Sequence, residues 1–413
     1  MPVITNEATL LGLLALILGF VFYTSKSSNA KFQAFYKYVP ALLLCYFIPS
    51  IFNSAGLVSV EASDNIYYVA SRFLLPACIV LLTISVDLPG ILKLGPKAII
   101  LFFTGTFGIV IGGPIALLIV SYFYPELLGN NGPQDVWRGM TTVAGSWIGG
   151  GANQTAMKEI YEVGDTIFSS MIAVDIIMAN IWMAVLLLLA GNAKSIDAKT
   201  GADTTALEEL KKNVIEFQKK HARIPHLEDL MIICAIGFGV TGVAHIFSDI
   251  VTPFMIENFP NSKELSFHSK FFWMIVSASA MGIALSFTRL RKIEAAGASK
   301  IGSAFLYFLI AAIGLHMDIM AIFDSPLYFA LGAIWMIIHA CLMLGVAKLI
   351  KAPLFYMAVG SQANVGGAAS APIVASAFHP ALAPVGVLLA VLGYAIGTYA
   401  AWFCGQVLQY VAS

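Results

Sequence analysis

Apolar residues run along this chain in long stretches, without the alternation of a strand or the narrow stripe of a surface helix. A helix needs about 20 apolar residues to cross the hydrocarbon core of a bilayer. Twelve stretches approach that length, near 8–24, 37–57, 65–86, 97–123, 138–158, 166–190, 228–250, 271–288, 301–317, 326–348, 353–376 and 383–408. Strand periodicity is absent, which argues against a membrane barrel. One polar stretch, 191–226, interrupts the series and carries seven Lys or Arg residues. Within it, 204–221 reads as a short surface helix. The stretch divides the chain into halves of six segments each. The pattern predicts an all-α membrane protein with a first repeat over 1–190, a cytoplasmic linker over 191–226 and a second repeat over 227–413.

Composition agrees and narrows the function classes. Hydrophobic residues make up 59% of the 413 and charged residues 11%, against about 45–50% and about 25% in soluble domains. Mean hydropathy is +0.85. A soluble enzyme, a nucleic-acid binder and a disordered chain are excluded. Net charge is zero, so no basic face argues for nucleic acid. Cys45, Cys78, Cys234, Cys341 and Cys404 all fall in apolar runs without metal-ligand or disulfide spacing, and read as packing residues. No Lys or Arg precedes the first apolar run, so 8–24 reads as a retained helix and not a secretory signal.

The two halves resemble each other. The third segment of each closes on an acid, Asp87 or Asp318, followed by a short loop with Pro96 or Pro326. The fifth segments carry matched glycine clusters, GSWIGGGANQTAM from Gly145 and GSQANVGGAASAP from Gly360. Ten helical residues on either side of a glycine tip rise about 15 Å, half the hydrocarbon thickness. Each fifth segment therefore reads as a re-entrant hairpin, over 138–162 and 353–379. That leaves five crossings per half and inverts the second repeat. Positive charge supports the choice. Ten crossings plus two hairpins, with both termini outside, split the basic residues 18 inside to 5 outside; twelve full crossings split them 15 to 8.

Candidate chemistry comes from these hairpins. Glycine tips at Gly149, Gly150, Gly151 and at Gly366, Gly367 let backbone approach a ligand closely. The half-helix after each tip offers free N–H groups and a positive dipole end to an anion. The half-helix before it offers carbonyls to Na⁺. Ser146, Asn153 and Gln154 flank the first tip, and Ser361, Asn364 and Ser370 the second, as candidate substrate-binding residues. The alternative is that small residues merely allow close helix packing. Asp175, near the middle of SSMIAVDIIMANIWMAV, is an intramembrane acid and hence a candidate for Na⁺ or a proton. Asn180, Thr155 and Gln362 are its expected companions at the coupling-ion site; the alternative is a hydrogen-bonded structural Asp. The matching stretch of the second half, LLAVLGYAIGTYA, has no acid. His339 is either a proton relay or a packing residue. No Walker, hydrolase or metal motif is present, so neither enzyme activity nor a cofactor is expected.

With GSWIGGGANQTAM and GSQANVGGAASAP in two halves joined by a polar linker, the chain resembles the YjcL-like integral membrane family. That family is grouped with the cation-proton-antiporter and anion-transporter superfamily, beside sodium/glutamate, 2-hydroxycarboxylate and bile-acid symporters and sodium/proton antiporters. The resemblance implies inverted repeats, a scaffold that forms a homodimer and a core that moves by an elevator-like step. It departs from the glutamate and hydroxycarboxylate symporters after the glycines, where Asn153-Gln154 and Ala369-Ser370 stand. It departs from the antiporters in having no second Asp beside Asp175. The expected function is cation-coupled symport, with Na⁺ or H⁺, of a small carboxylate-bearing solute across a bacterial plasma membrane, with lipid as the surrounding partner. A cation/proton antiporter and a non-transporting membrane receptor or assembly protein are the alternatives.

Overall fold

The computed structural model describes residues 2–36, 39, 41–86, 88–128, 132–202, 226–265, 267–316, 326–379 and 382–413. Asp87, Asp318 and the expected surface helix at 204–221 lie outside them. Among the described residues the fold is all helical; the one strand-like feature is an isolated bridge between Ile4 and Val58.

The first half contributes α1 (Glu7–Ser25), α2 (Ala41–Ser54), α3 (Val60–Ile84), α4 (Pro96–Phe123), α5 (Val136–Ile160) and α6 (Asp165–Gly191). The second contributes α7 (Leu227–Asn258), α8 (Lys270–Ser286), α9 (Ala298–Gly314), α10 (Pro326–Leu349), α11 (Leu354–Val365), α12 (Gly367–Phe378) and α13 (Ala383–Ala412). Each of the twelve apolar stretches overlaps one of these helices, and the eleventh is divided between α11 and α12. Local sequence sets several starts. Asn6, Ser59 and Ser269 cap α1, α3 and α8 by accepting a backbone N–H two or three positions into the helix. Pro96 begins α4, where its missing N–H costs nothing.

Seven described helices are long and apolar enough to cross a membrane: α1, α3, α4, α6, α7, α10 and the Val385–Ala412 part of α13. The number rises to eight if α8 is joined to the short Arg289–Ala296 turn, which bends from it by 95°. Helices α2 and α9 are apolar but shorter. This is an integral membrane protein.

The helices pack as two bundles. The first is built from α1, α2, α3, α7, α8 and α9; the second from α4, α5, α6 and α10 to α13. Each bundle thus takes the first three elements, or the remaining elements, of both halves. Small residues on α4 let α10 lie close: the Trp335 ring covers Gly112 and Gly113, and its indole N–H donates to the Ile109 carbonyl at 2.8 Å. The bundles meet mainly where α5 and α13 face α3 and α8. Polar links across that boundary are few. Arg72 pairs with Glu159 at 2.7 Å, Tyr67 also donates to Glu159, and the Tyr46 hydroxyl lies 3.5 Å from the Gln154 amide oxygen. In the middle of α13, Tyr399 reaches the Val276 carbonyl at 3.3 Å.

Candidate functional site

Both glycine clusters break their helices. Gly150 in α5 has φ 74° and ψ −176°, a region that only glycine occupies without strain. Residues 136–149 and 151–160 are therefore two helical pieces. The second break lies between α11 and α12, where Gly367 has φ 57°. The pieces on its two sides have 12 residues each, about 18 Å of rise, too short to cross a bilayer alone.

Helix α13 passes between the two breaks. A Cβ placed on Gly393 would stand 2.6 Å from the Ile148 carbonyl oxygen and 3.5 Å from that of Ala363. The backbones before both breaks thus close on one residue, and any side chain there would push them apart. The next residue, Tyr394, borders both tips. A Cβ on Gly150 would come within 3.2 Å of its ring, and one on Gly367 within 3.8 Å of its hydroxyl. One turn on, Gly397 lies directly over Gly149.

Side chains around the first break form a bonded set. Asn153, 1% exposed, donates from Nδ2 to the Gly149 carbonyl at 2.8 Å. Its Oδ1 accepts from the Thr398 hydroxyl at 2.5 Å. Gln154 donates from Nε2 to Asp175 Oδ2 at 3.0 Å. Ser146 and Trp147 also face this carboxyl group, though among the described residues the Trp147 indole N–H has no acceptor in hydrogen-bond geometry. Thr155 bonds the Gly151 carbonyl of its own helix at 3.0 Å. Asp175 is 5% exposed, and among the described residues no cationic side chain pairs with it. A buried carboxylate met only by neutral groups calls for a cation or a proton.

At the second break, Gln362 Nε2 donates to the Ser370 hydroxyl at 2.7 Å, joining α11 to α12 across Gly366. Among the described residues, the buried Gln362 amide oxygen has no hydrogen-bond partner. Ser361 and Asn364 are placed differently from the expectation that they line a tip. Both are fully buried and face neighbouring helices. Ser361 accepts from the Trp182 indole at 2.8 Å, and its hydroxyl lies 2.7 Å from His339 Nε2. His339 Nδ1 lies 3.2 Å from the Gly105 carbonyl. A carbonyl only accepts, so Nδ1 carries a proton. Both ring nitrogens thus have partners inside the second bundle. Asn364 is held by the Phe102 and Gly360 carbonyls, each at 3.0 Å, and by the Thr106 hydroxyl at 2.8 Å. Asn180 turns back to the Ile176 carbonyl of its own helix at 2.7 Å and makes no bond to Asp175.

The arrangement brings together Gly149, Gly150, Gly151, Asn153, Gln154 and Asp175 on one side of α13, and Gln362, Gly366, Gly367 and Ser370 on the other. Sequence reasoning missed Tyr46, Tyr394 and Thr398. The last two lie in LGYAIGT, the stretch of the second half that matches the position of Asp175. Its paired glycines were the available signal.

The family model described as "Protein of unknown function (DUF819)" matches residues 12–411. The "Uncharacterized membrane protein YjcL" of Bacillus subtilis (strain 168) is 24% identical over 369 residues, a span covering 86% of each chain. The matched range takes in both helix breaks, Asp175 and the α13 segment between them, and the chain belongs to the DUF819 family.

Proposed function

We propose that the protein is a secondary active transporter, coupling Na⁺ or H⁺ to the symport of a small carboxylate-bearing solute. The observation that carries this reading is the meeting of two helix breaks, one from each half, on opposite sides of Gly393 and Tyr394 beside the buried Asp175. Irregular backbone at membrane depth is tolerated where protein buries it or where it lines a polar cavity. Broken helices from two related halves are a common way to build a transport site near the midplane.

In this reading α5 and the α11–α12 pair are re-entrant hairpins. Counting α2, α8 and α9 as crossings then gives five per half, in inverted orientation with both termini outside. The first bundle is the scaffold and the homodimer surface; the second carries the solute by an elevator-like movement in the plasma membrane. The helix N-termini after the breaks take the carboxylate. Asp175 takes the coupling ion. A second reading, cation/proton antiport, draws on the same lone acid. No step asks for a cofactor or for enzyme chemistry.

The test is lumenal pH in proteoliposomes after a Na⁺ jump, without organic solute, for wild type and Asp175→Asn. Proton flux that vanishes in the variant assigns antiport and overturns symport. Silence in folded protein is expected for a symporter. Carboxylates screened under Na⁺ and pH gradients then give uptake in wild type that Asp175→Asn loses. No uptake under either gradient would overturn the transport reading.

A further inference from the structure

We infer that a π-helical turn in α3 forms a clasp, closed on Glu159, that holds the second bundle in one position on the first. The inference rests on the moving-bundle part of the proposed function.

Helix α3 is not regular. Residues Ala70–Leu74 form a π turn, in which Leu75 N–H reaches the Ala70 carbonyl. Such single turns add one residue to a helix, rotate the turns beyond them and recur at functional sites. Here the turn has Arg72 at its centre. The Arg72 carbonyl accepts from His245 of α7 at 2.9 Å. The Phe73 ring stacks on the same histidine, with centroids 5.7 Å apart. The Arg72 guanidinium lies over Phe271 of α8, 4.5 Å from the ring centre. Three helices of the first bundle thus fix one arginine and aim it across the boundary.

Its target is the last turn of α5. Arg72 donates to Glu159 Oε2 at 2.7 Å, and Tyr67, one turn earlier on α3, donates to Oε1. Both carboxylate oxygens are therefore held by the first bundle. Lys158 steadies the tyrosine, donating to its hydroxyl at 3.2 Å while pairing with Asp165 of its own bundle at 2.8 Å. Among the described residues, Arg72–Glu159 is the ion pair that joins the bundles.

The other end of the same half-helix meets the first bundle without an ion pair among the described residues. A Cβ on Gly151 would lie 3.8–3.9 Å from Leu306 and Ile310 of α9. The piece of α5 after the break thus meets the first bundle near its tip through van der Waals contact and the long 3.5 Å Tyr46–Gln154 link, and is held at its far end by an ion pair. The corresponding piece of the second half, α12, packs mainly on α11, α13 and α6 of its own bundle. Two related halves that differ in this way describe one end position of a two-position movement. Sliding α5 along α3 separates Glu159 from Arg72 and Tyr67, so the clasp must open for the bundle to move.

Hydrogen exchange of the protein in lipid nanodiscs, read by mass spectrometry, tests this without a substrate. Glu159→Gln keeps shape and removes charge. Exchange is expected to rise about tenfold, the loss of one charge-assisted hydrogen bond, in peptides covering 151–162 and 298–314. Tyr67→Phe is expected to raise the same peptides by less. The exchanged pair Arg72→Glu with Glu159→Arg should return them toward wild type, and Asp165→Asn, whose ion pair lies within one bundle, should leave 298–314 unchanged. Unaltered exchange in Glu159→Gln, or an equal rise in every helix, would overturn the clasp. A confined rise in a protein that fails every flux assay would uphold the clasp and remove only the transport reading.

Discussion

Replacing Asn153 with alanine removes the tie between the first helix break and α13, and its cost can be worked from the geometry. Two hydrogen bonds are lost, one to the Gly149 carbonyl at 2.8 Å and one from Thr398 at 2.5 Å. In a dry interior each group left unpaired costs about 1–3 kcal/mol. Double-mutant cycles inside membranes give smaller pair energies, averaging about 0.6 and reaching about 1.7 kcal/mol, because freed groups find other partners. The two orphans differ in that respect. Thr398 has the carbonyl four residues back within reach, as Thr83, Thr155 and Thr241 do in this protein. The Gly149 carbonyl sits at the break itself. The cost of Asn153→Ala is therefore expected at about 2–3 kcal/mol, and that of Thr398→Val near 1 kcal/mol. Their coupling energy should fall at about 1–1.7 kcal/mol, the upper part of the membrane range. Reversible unfolding in mixed SDS–detergent micelles of wild type, the two single variants and the double variant measures all four corners. Additive effects, with a coupling below about 0.3 kcal/mol, would refute the claim that this bond fixes the break against α13.

The remaining expectations concern the break, the topology and pH. Gly150→Ala forces an L residue into φ 74°, ψ −176° against the Tyr394 ring and should destabilise by about 1–3 kcal/mol. Gly151→Ala, with nothing nearer than 3.8 Å, should be close to neutral in the same melts; equal losses would contradict the assigned break. Glu162, exposed just after α5, should react as Glu162→Cys with an impermeant maleimide from outside, in a background lacking the five native cysteines; inside-only labelling would sink the re-entrant reading. Burial pulls His316, beyond the end of α9, below its ordinary pKa against the opposing pull of Asp165 and Asp64, with Lys158 adding to the fall. The unfolded chain then takes up its proton first, so stability should decline as pH drops below about 6.5. His316→Gln should flatten that part of a melting-temperature profile, and an unchanged slope would show the decline to belong to other groups.

Much of the fold was legible because each apolar stretch had to be long enough for its task, and the interruptions carried their own chemistry. A triple glycine inside a helical run is costly unless the backbone turns there, so the break at Gly150 was readable. Asp175 was readable because a lone acid in an apolar helix demands a reason. What escaped depended on which face of a helix met which neighbour. Ser361 and Asn364 stand as close in sequence to the second break as Ser370 does. They lie on the face of α11 turned to α4, α6 and α10, and only the packed bundle fixes that face. In the sequence Arg72 is merely one basic residue within an apolar stretch. Nothing in its neighbours' composition announces the π turn that aims it at Glu159.

Under the proposed function, the two halves divide the chemistry of one site between them. Each supplies a broken helix and a long final helix beside it. The final helix of the first half, α6, brings an acid to the neighbourhood of its own break. The final helix of the second half, α13, brings Gly393 and Tyr394, which admit both breaks at once. An acid at the equivalent place on α13 would put a second buried charge near Asp175, and like charges at that depth repel strongly. A large residue at the place of Gly393 would separate the carbonyls of Ile148 and Ala363. One charged centre and one point of close approach cannot occupy equivalent positions in both halves. Under the proposed function, the side-chain asymmetry follows from two halves enclosing a single site.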